Sequence, residues 1–508
     1  MRLVDYLDKG ASLGAERACL TTDGASLTYA DVQASSHRIA AALVAHGIQP
    51  GAKVAILSAN DPVAFSCVFG ISRAGAVWCP VNPRNEADEN RELLELFDCE
   101  ALVFQVSYAP LVGQIREALP LLTTLVCLDG EAEGALGWEE FLARAAGPVD
   151  RAGADDLAMI VGTGGTTGRP KGVMLTHHNL ETMTALTLMS YPFEGRPVYL
   201  ALAPLTHAAG VLCFPVLATG GEIVIMPTPD VGAFLHLMAR HHVTHTFLPP
   251  TLVYRVLSDP ALDTTDVSSL QCFWYGAAPM SVARLEEALQ RIGPMAQLFG
   301  QTEAPMMIST MSPADHWRPD GSVHAERLSS AGRPSPLVTV AILDEGGGSL
   351  PPGQNGEICV RGSLVMAGYY KNPEATAEAS RFGWHHTGDI GHLDAEGFLH
   401  IVDRAKDMII TGGYNVYSAE VEQALMRHPD IQDCAVIGLP DDTWGERVVA
   451  VVQPQPGRDL DPDVVRGFVK ARIGSVKAPK DLLVWPELPR SKVGKVLKTE
   501  IRETLLSS

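Results

Sequence analysis

A glycine- and threonine-rich stretch between residues 162 and 172 holds the side chains best suited to phosphate chemistry. It reads GTGGTTGRPKG and directly follows the apolar run LAMIV, which is typical of a buried strand. Backbone N–H groups in such a turn can converge on phosphate oxygens, while Lys171 neutralises part of their charge. Lys171 lies between Pro170 and Gly172, so the GxxxxGK[ST] loop of kinases and GTPases does not fit. A flexible surface turn is the alternative, but the three threonines and five glycines favour a phosphate loop.

Length, charge and cysteine content limit the class of protein. The chain has 508 residues, which is too long for one hydrophobic core and predicts about two to four domains. A net charge of −20 argues against nucleic acid or an anionic membrane as the main partner. Nine cysteines without a CxxC pair, and an N-terminus without the apolar core of a signal peptide, favour a reducing cytoplasm.

Alternating apolar runs and helical segments predict the elements that position the phosphate loop. KVAIL, AVWCPV and ALVFQ are typical of strands, and the pattern repeats after Asp156 with VYLALA, EIVIM, THTFL and QCFWYG. This alternation predicts mostly parallel, doubly wound sheets. From about Gly332 the strands become short and are bounded by glycine, which predicts a β-rich subdomain. Helices are expected in the smaller unit that follows Arg404, over SAEVEQALMRH and DVVRGFVKARIG.

One stretch resembles a membrane span and another resembles a zinc site, but we expect neither to form. The uncharged segment from 197 to 221 is long enough for a membrane span, but its prolines and glycines favour a strand, a loop and a helix. His241 and His245 are four residues apart, as zinc ligands on a helix are. The glutamate of HExxH is absent, so the end of a helix before a strand is the favoured interpretation.

The charge distribution supports a boundary near Arg404. The residues from 404 onward include 15 basic and 15 acidic side chains, so the preceding part holds the other 24 basic and 44 acidic ones and carries the whole net charge. Within the small unit, residues 466 to 502 contain 10 basic and 3 acidic side chains. A locally basic lid over an acidic body could serve anionic substrates. A solvated charged face is the alternative, and charge alone favours it.

Six further motifs occur in an order that resembles the adenylate-forming enzymes, in particular the acyl- and aryl-CoA synthetases. The loop of that family usually reads T-S-G-T-T-G-x-P-K-G, and here Gly164 stands where serine is usual. The other motifs are PLTHAAG at Pro204, YGAAPM at Tyr275, LFGQTEAP at Leu298, HHTGDIG at His385, DRAKDMIITGGYNVYSAEVE at Asp403 and PRSKVGKVLK at Pro489. The resemblance covers nearly the whole chain.

The resemblance implies an α/β fold with two domains. Residues 1–403 would form an N-terminal AMP-binding domain of two doubly wound α/β subdomains plus a β-rich subdomain. Residues 404–508 would form a small, mobile α+β lid domain. The implied reaction has two steps: a carboxylate attacks the α-phosphate of Mg²⁺-bound ATP to give acyl-AMP and pyrophosphate, and the thiol of coenzyme A then displaces AMP.

The resemblance also assigns residues to ATP and Mg²⁺. The β- and γ-phosphates would be held by Thr163, Gly164, Gly165, Thr166, Thr167, Gly168 and Lys171. Glu303 and Thr163 would hold Mg²⁺, and Thr302 would bond the α-phosphate. The nucleotide would be enclosed by Gly276, Ala277, Ala278, Leu298, Phe299, Gly300 and Gln301, with Phe299 against adenine. Asp389 would accept the ribose hydroxyls, supported by Arg404.

The C-terminal unit would supply the remaining groups. Lys495 would reach the α-phosphate and the carboxylate during adenylation, and Lys406 stands at the hinge position. Gly412 and Gly413 would line the tunnel for the thiol. CoA contacts are also expected from Tyr414, which replaces a frequent acidic residue, and from Trp444. The catalytic set expected from the resemblance is Lys495, Glu303, Thr302, Lys171 and His207.

The acyl pocket is the part about which the sequence says least. His207 would border the carboxylate, and small or apolar neighbours would leave room for a hydrophobic, bulky acid. The expected lining is His207, Ala208, Ala209, Cys213, Trp274, Tyr275, Gly276, Pro305 and Met306. These residues favour a fatty, aryl or polycyclic monocarboxylic acid.

Several alternatives remain open at this stage. The acceptor could be an acyl carrier protein instead of coenzyme A, and Arg284 could pair with the second carboxylate of a malonate-type acid. A catalytically silent nucleotide-binding homologue and a luciferase-like oxygenase share the motifs. An amino-acid adenylation domain would place an aspartate just after the His207 motif, and HAAGVLCF has none. No nucleic-acid partner and no transmembrane segment are expected, and the oligomeric state is open.

Overall fold

The computed structural model describes residues 1–163, 170–205, 208–441, 444–490 and 496–507, except for the side chain of Ala208. The helices are α1 Leu3–Leu13, α2 Tyr29–Ala45, α3 Pro62–Arg73, α4 Ala87–Leu96, α5 Ala109–Ile115, α6 Trp138–Ala143, α7 His177–Ser190, α8 Ala208–Val211, α9 Cys213–Ala218, α10 Val231–Arg240, α11 Pro250–Ser258, α12 Val282–Arg291, α13 Pro373–Ala379, α14 Ser418–Leu425, α15 Pro462–Lys477 and α16 Lys498–Ser507.

The strands alternate with these helices through most of the chain. They are β1 Ala18–Thr21, β2 Ser26–Thr28, β3 Lys53–Leu57, β4 Val77–Val81, β5 Cys99–Phe104, β6 Thr124–Cys127, β7 Leu136–Gly137, β8 Leu157–Thr163, β9 Lys171–Thr176, β10 Val198–Ala201, β11 Glu222–Ile225, β12 His245–Leu248, β13 Cys272–Gly276, β14 Met295–Gln301, β15 Ala304–Met311, β16 Arg333–Pro334, β17 Thr339–Leu343, β18 Gly356–Arg361, β19 Gly368–Tyr369, β20 His385–Leu393, β21 Leu399–Arg404, β22 Ile409–Thr411, β23 Tyr414–Val416, β24 Ile431–Asp441, β25 Gly445–Pro454 and β26 Asp481–Val484.

Two large, mostly parallel sheets form the body of the protein. One has the strand order β19-β9-β8-β4-β3-β5-β6-β7, and the other has the order β16-β15-β14-β13-β12-β10-β11-β1-β2. In both sheets the central pairs are parallel and the strands that carry the predicted motifs, β8–β9 and β14–β15, pair in antiparallel fashion at one side. The loops at these strand ends therefore hold the candidate site.

Helices cover these sheets on both sides, as doubly wound sheets require. One continuous apolar cluster joins strands of both large sheets to α1, α2, α3, α7 and α9. A second cluster packs α10, α11 and α12 on the far face of the nine-stranded sheet, and a third packs α4 and α5 on the far face of the eight-stranded sheet. The sheet strands are buried on both faces, which explains their continuous apolar runs.

Two smaller sheets follow along the chain. Strands β17, β18, β20 and β21 form an antiparallel sheet, as expected for the β-rich subdomain. The C-terminal residues form a sheet of β23, β22, β25 and β24, with β26 beside β25. That sheet has apolar clusters of its own, with α14 and α15 on one side and α16 on the other. The predicted fold class is confirmed.

Local sequence signals agree with these elements. Thr28 caps α2, and the side chains of Thr28 and Asp31 bond reciprocally to each other's backbone N–H, which is a capping box. The segment from 197 to 221 forms β10, α8 and α9, and no helix in the described residues has both the length and the hydropathy needed to cross a membrane. His241 is the C-cap that follows α10, and His245 begins β12, where its ring packs against Phe193 and Trp274.

Candidate active site

The β8–β9 hairpin brackets the predicted phosphate loop. Thr163 at the end of β8 lies opposite Lys171 at the start of β9, and the Thr163 hydroxyl donates to the Lys171 carbonyl over 3.4 Å. The hairpin therefore brings together the first and last predicted phosphate ligands. The predicted ligands Gly164, Gly165, Thr166, Thr167 and Gly168 lie outside the described residues.

Glu303 lies in the tight turn between β14 and β15, and a tyrosine that the motifs did not single out holds its carboxylate. The Tyr369 hydroxyl donates to Glu303 Oε1 over 2.8 Å. The same ring lies under the Lys171 ammonium, with 4.9 Å between Nζ and the ring centroid. Burial and the nearby Glu303 carboxylate raise the pKa of Tyr369, so this hydroxyl stays protonated as a donor.

Gln301 connects the LFGQTEAP motif to the HHTGDIG motif. Its amide donates to the Thr387 carbonyl over 3.2 Å, and its side-chain oxygen lies 3.2 Å from His385 Nε2. Burial lowers the pKa of His385, which favours the neutral ring beside this amide. Gln301 thus fixes the two motifs relative to each other, and Thr302 follows it, half-buried, in the turn.

The pair predicted for ribose is assembled across two antiparallel strands. Asp389 on β20 lies opposite Arg404 on β21, and Arg404 Nε is 2.6 Å from Asp389 Oδ1. The carboxylate is buried, whereas half of the Arg404 side chain is exposed. A buried carboxylate that faces a charged donor is suited to accept hydrogen bonds from hydroxyl groups.

The predicted adenine walls depend on glycine for close backbone approach. A Cβ on Gly276 would lie 2.3 Å from the Leu298 carbonyl oxygen, and a Cβ on Gly300 would lie 2.4 Å from the Met306 backbone nitrogen. Ala277 and Met306 have positive φ angles of 66° and 63°, which side-chain-bearing residues rarely adopt. Backbone strain of this kind concentrates at functional sites, so these two residues support the predicted location of the site.

The strand β13 separates two residues that the sequence analysis placed in one pocket. Trp274 packs in the cluster that also buries Ala209 and Cys213, and Met306 packs against that cluster. Tyr275 faces the opposite side, where its hydroxyl lies 3.1 Å from His316 Nε2. The prediction that Tyr275 shares the pocket of Trp274 is wrong, because successive residues of a strand point to opposite faces.

Trp274 itself is enclosed by other rings instead of lining an open space. Tyr191, Phe193, Tyr199 and His245 surround it at centroid distances of 5.2 to 6.5 Å. Its side chain is therefore part of the packed core. Pro305 is buried on β15, as is Gly276 on β13. His207 and the side chain of Ala208 lie outside the described residues.

The C-terminal unit presents its predicted CoA residues at the surface. Gly412 and Gly413 form a two-residue turn between β22 and β23, with φ angles of 58° and 81°. Trp444 packs against Gly412, since a Cβ there would lie 2.8 Å from the indole ring. Tyr414 is 63% exposed and Trp444 is 49% exposed. Lys406 is also exposed, whereas Lys495 lies outside the described residues.

Glu303 and Thr163, the two residues predicted to hold Mg²⁺, fit that ion by their donor chemistry. Glu303 offers a carboxylate and Thr163 a hydroxyl, and both are the hard oxygen donors that Mg²⁺ prefers. Glu303 accepts one hydrogen bond from Tyr369, and a carboxylate has about four lone-pair sites, so it retains capacity for a cation.

A large α/β body followed by a small α+β unit is the architecture that the motifs predict for an adenylate-forming enzyme. Comparison with known proteins gives the family. The family description AMP-binding enzyme matches residues 7–370, and AMP-binding enzyme C-terminal domain matches residues 420–495. The chain belongs to the AMP-binding enzyme family.

Similar proteins cover almost the whole chain. A feruloyl-CoA synthase from Amycolatopsis sp is 37% identical over 481 residues, which are 94% of each chain. An indoleacetate–CoA ligase from Aromatoleum aromaticum is 33% identical and covers 99% of this chain and 98% of its own. The solved amide bond synthetase McbA from Marinactinospora thermotolerans is 32% identical, with a TM-score of 0.90 and 99% of each chain covered. The prediction of an adenylate-forming enzyme related to acyl- and aryl-CoA ligases is confirmed.

Proposed function

We propose that the protein activates a hydrophobic, bulky monocarboxylic acid, of the fatty, aryl or polycyclic kind, and transfers it to coenzyme A. The observation that carries this proposal is the apolar surrounding of the predicted acyl pocket. Ala209 and Cys213 are fully buried in one cluster with Trp274, and Met306 packs against it. Uncharged bulk gains about 25 cal/mol for each Å² that it buries in such surroundings.

A dicarboxylic acid would need a basic side chain in the pocket to pair with its second carboxylate. Arg284 does not supply that charge. Arg284 lies on α12, where its guanidinium pairs with Glu287 at 2.8 Å. The same helix buries Leu285 and Ala288 in the cluster on the opposite face of the sheet from Ala209. Burial of an unpaired second carboxylate costs several kcal/mol, so a malonate-type substrate is disfavoured.

The names of similar proteins support an aromatic acid within this class. The feruloyl-CoA synthase and the indoleacetate–CoA ligase are both named for acids that join one carboxylate to an aromatic ring. Ala209 and Cys213 have small side chains, so they would place little bulk beside a ring attached to the reacting carboxylate. We infer that an arylalkanoic or arylpropenoic acid is preferred over acetate.

We propose that the first half-reaction relies on groups that neutralise charge on ATP. Lys171 and Thr163 hold the β- and γ-phosphates with the loop between them, and Thr302 bonds the α-phosphate. Asp389 accepts the ribose hydroxyls, and Arg404 orients Asp389. Glu303 and Thr163 would hold Mg²⁺, which would supply positive charge at the phosphates. The substrate carboxylate, bordered by His207, then attacks the α-phosphate while Lys495 stabilises the developing charge.

For the second half-reaction we propose that residues 404–508 rotate as a lid about Lys406. Gly412 and Gly413 then line the path of the CoA thiol, and Tyr414 and Trp444 contact the CoA. The thiol displaces AMP from the acyl group.

All nine cysteines of the chain are described and none forms a disulfide, which supports the proposed cytoplasmic location.

The proposal is tested by pyrophosphate release from ATP with Mg²⁺ across fatty, aryl, dicarboxylic and small acids. Each acid is assayed without an acceptor, with CoA and with an acyl carrier protein, and products are identified by mass. We expect aryl or fatty monocarboxylates to give the highest kcat/KM and CoA to be the acceptor. Malonate as best substrate would contradict the pocket assignment, and absence of pyrophosphate with every acid would support a silent homologue.

A further inference from the structure

Tyr369 lies between the two charged side chains that the proposed function assigns to the phosphates and the metal. Its hydroxyl donates to Glu303 Oε1 over 2.8 Å, and its ring faces the Lys171 ammonium at 4.9 Å. One side chain thus contacts both the carboxylate and the ammonium. The AMP-binding motifs used in the sequence analysis do not include this residue.

The position of Tyr369 follows from a two-strand pairing. The short strand β19 pairs antiparallel with β9, which places Tyr369 opposite Val173. Lys171 is two residues from Val173 on the same strand, so its side chain lies on the same face as Val173 and as Tyr369. The link to Glu303 is reinforced nearby, because the Met366 N–H donates to the Glu303 carbonyl over 2.7 Å. Residues 366 to 369 therefore hold Glu303 by its backbone and by its side chain.

We propose that Tyr369 is a positioning residue for adenylation, which orients the Glu303 carboxylate for Mg²⁺ and holds the Lys171 ammonium beside it. This inference rests on the proposed role of Glu303 in binding Mg²⁺. A hydrogen bond to one carboxylate oxygen limits rotation of the group, and loss of such an orienting partner typically lowers metal affinity or activity by about 10- to 100-fold. The ring restrains Lys171 by a cation–π contact.

The adjacent residue provides a matched control. The Tyr370 hydroxyl also donates to a carboxylate, Asp98 Oδ2, over 2.8 Å. That carboxylate pairs with Lys371, and the Tyr370 ring packs against the cluster on the far face of the eight-stranded sheet. Tyr370→Phe therefore removes the same chemical group from the same strand region without touching Glu303 or Lys171.

The test compares Tyr369→Phe with Tyr370→Phe in the full chain. For Tyr369→Phe we expect the rate of acid-dependent ATP–pyrophosphate exchange to fall about 10- to 100-fold, and the Mg²⁺ concentration for half-maximal exchange to rise about tenfold. Calorimetry with ATP and Mg²⁺ but no acid should show weaker binding that is restored at high Mg²⁺. Thioester formation from supplied acyl-AMP should stay unchanged in both variants. Tyr370→Phe should leave all four quantities unchanged.

Further variants separate the two contacts of Tyr369. Glu303→Gln should reproduce the Mg²⁺ dependence, and the double variant Tyr369→Phe/Glu303→Gln should lose little more than Glu303→Gln alone, because the two residues act as one unit. Tyr369→Leu, which also removes the ring, should raise the KM for ATP beyond that of Tyr369→Phe. Glu303→Asp keeps Tyr369 and shortens the carboxylate side chain, so it should shift the Mg²⁺ dependence even if variants of Tyr369 fold poorly.

The outcomes distinguish this inference from the proposed function. If Glu303→Gln leaves the Mg²⁺ dependence unchanged, the proposed metal role of Glu303 is wrong and the inference with it. If Glu303→Gln is impaired but Tyr369→Phe behaves like Tyr370→Phe, only the inference is wrong. Fully additive losses in the double variant would show that Tyr369 does not act through Glu303 and would also overturn it.

Discussion

The residues assigned to adenylation and those assigned to CoA differ in how they are held. Asp389 is buried and paired with Arg404, and Glu303 is fixed by Tyr369 between the two large sheets. In contrast, the Gly412–Gly413 turn is exposed on a two-residue hairpin, and Trp444 beside it is half exposed. Under the proposed assignment, the first half-reaction would use a preorganised site, whereas the second would require that an exposed element be brought to the acyl-AMP.

The largest expected effect separates the two half-reactions at Lys495. Lys495→Ala should lower ATP–pyrophosphate exchange by about 100- to 1000-fold, because a positive charge is lost where negative charge develops. Thioester formation from supplied acyl-AMP should be spared, since the proposed path of the thiol lies at the Gly412–Gly413 turn. Lys492→Ala, in the same segment, is the control for local charge. Equal loss of both half-reactions in Lys495→Ala would contradict the assignment.

The next effect tests the exposed turn. Gly413→Val should lower thioester formation about 100-fold while acyl-AMP still forms, because a β-branched side chain would fill the thiol path. Gly413 has a φ of 81° with nothing within 4 Å of its Cβ position, so the folded state loses only the roughly 1–2 kcal/mol of a left-handed residue.

A variant of a second glycine serves as a control for the cost of the left-handed backbone. Gly397 has a φ of 80° and equally open surroundings, and it lies in the turn between β20 and β21. Gly397→Val should show the same shift in melting temperature with both half-reactions intact. If Gly413→Val still forms acyl-CoA at the normal rate, residue 413 does not line the thiol path.

The same contrast explains which parts of the molecule were predictable from the sequence. Strand–helix alternation and capping signals such as Thr28 with Asp31 are local, and they predicted the doubly wound sheets and α2. Motif order placed Asp389 and Arg404 in one site, and antiparallel pairing of β20 with β21 brings them into contact.

The contacts that the sequence did not predict depend on pairing between strands that are far apart in the chain. Tyr369 reaches Glu303 only because a two-residue strand joins β9, and no spacing rule connects residues 66 positions apart. Tyr275 is a different kind of error. Its strand was predicted correctly, and the alternation of side chains along β13 was already sufficient to separate it from Trp274. The positive φ angles of Ala277 and Met306 could not be predicted, because neither residue type signals them.

A smaller effect on substrate preference is expected in the proposed acyl pocket, which lies with the residues assigned to adenylation. Ala209→Phe should shift the ratio of kcat/KM between bulky and small acids about 10- to 100-fold towards small acids, because Ala209 is fully buried in the pocket cluster. Overpacking costs about 1–3 kcal/mol, so melting temperatures are measured alongside. Arg284→Ala should leave the acid preference unchanged. Loss of activity with one particular acid in Arg284→Ala would show that the arginine contacts the substrate.

The smallest effect concerns Trp444 on the exposed side. Its indole is 49% exposed and packs on Gly412, with the Lys480 ammonium 5.8 Å from the ring centroid. A flat aromatic surface beside a cation is suited to stack on a base that carries phosphates, and stacking of this kind is worth about 1–3 kcal/mol. Exposure places Trp444 at the lower end of this range, so Trp444→Ala should raise the KM for CoA about fivefold. The KM for ATP and the rate of acyl-AMP formation should not change, because the adenylation site is held by other elements.

Trp444→Phe keeps an aromatic ring and should recover most of the affinity for CoA. Equal increases in the KM for CoA and for ATP would mean that Trp444 only supports the fold of the small unit.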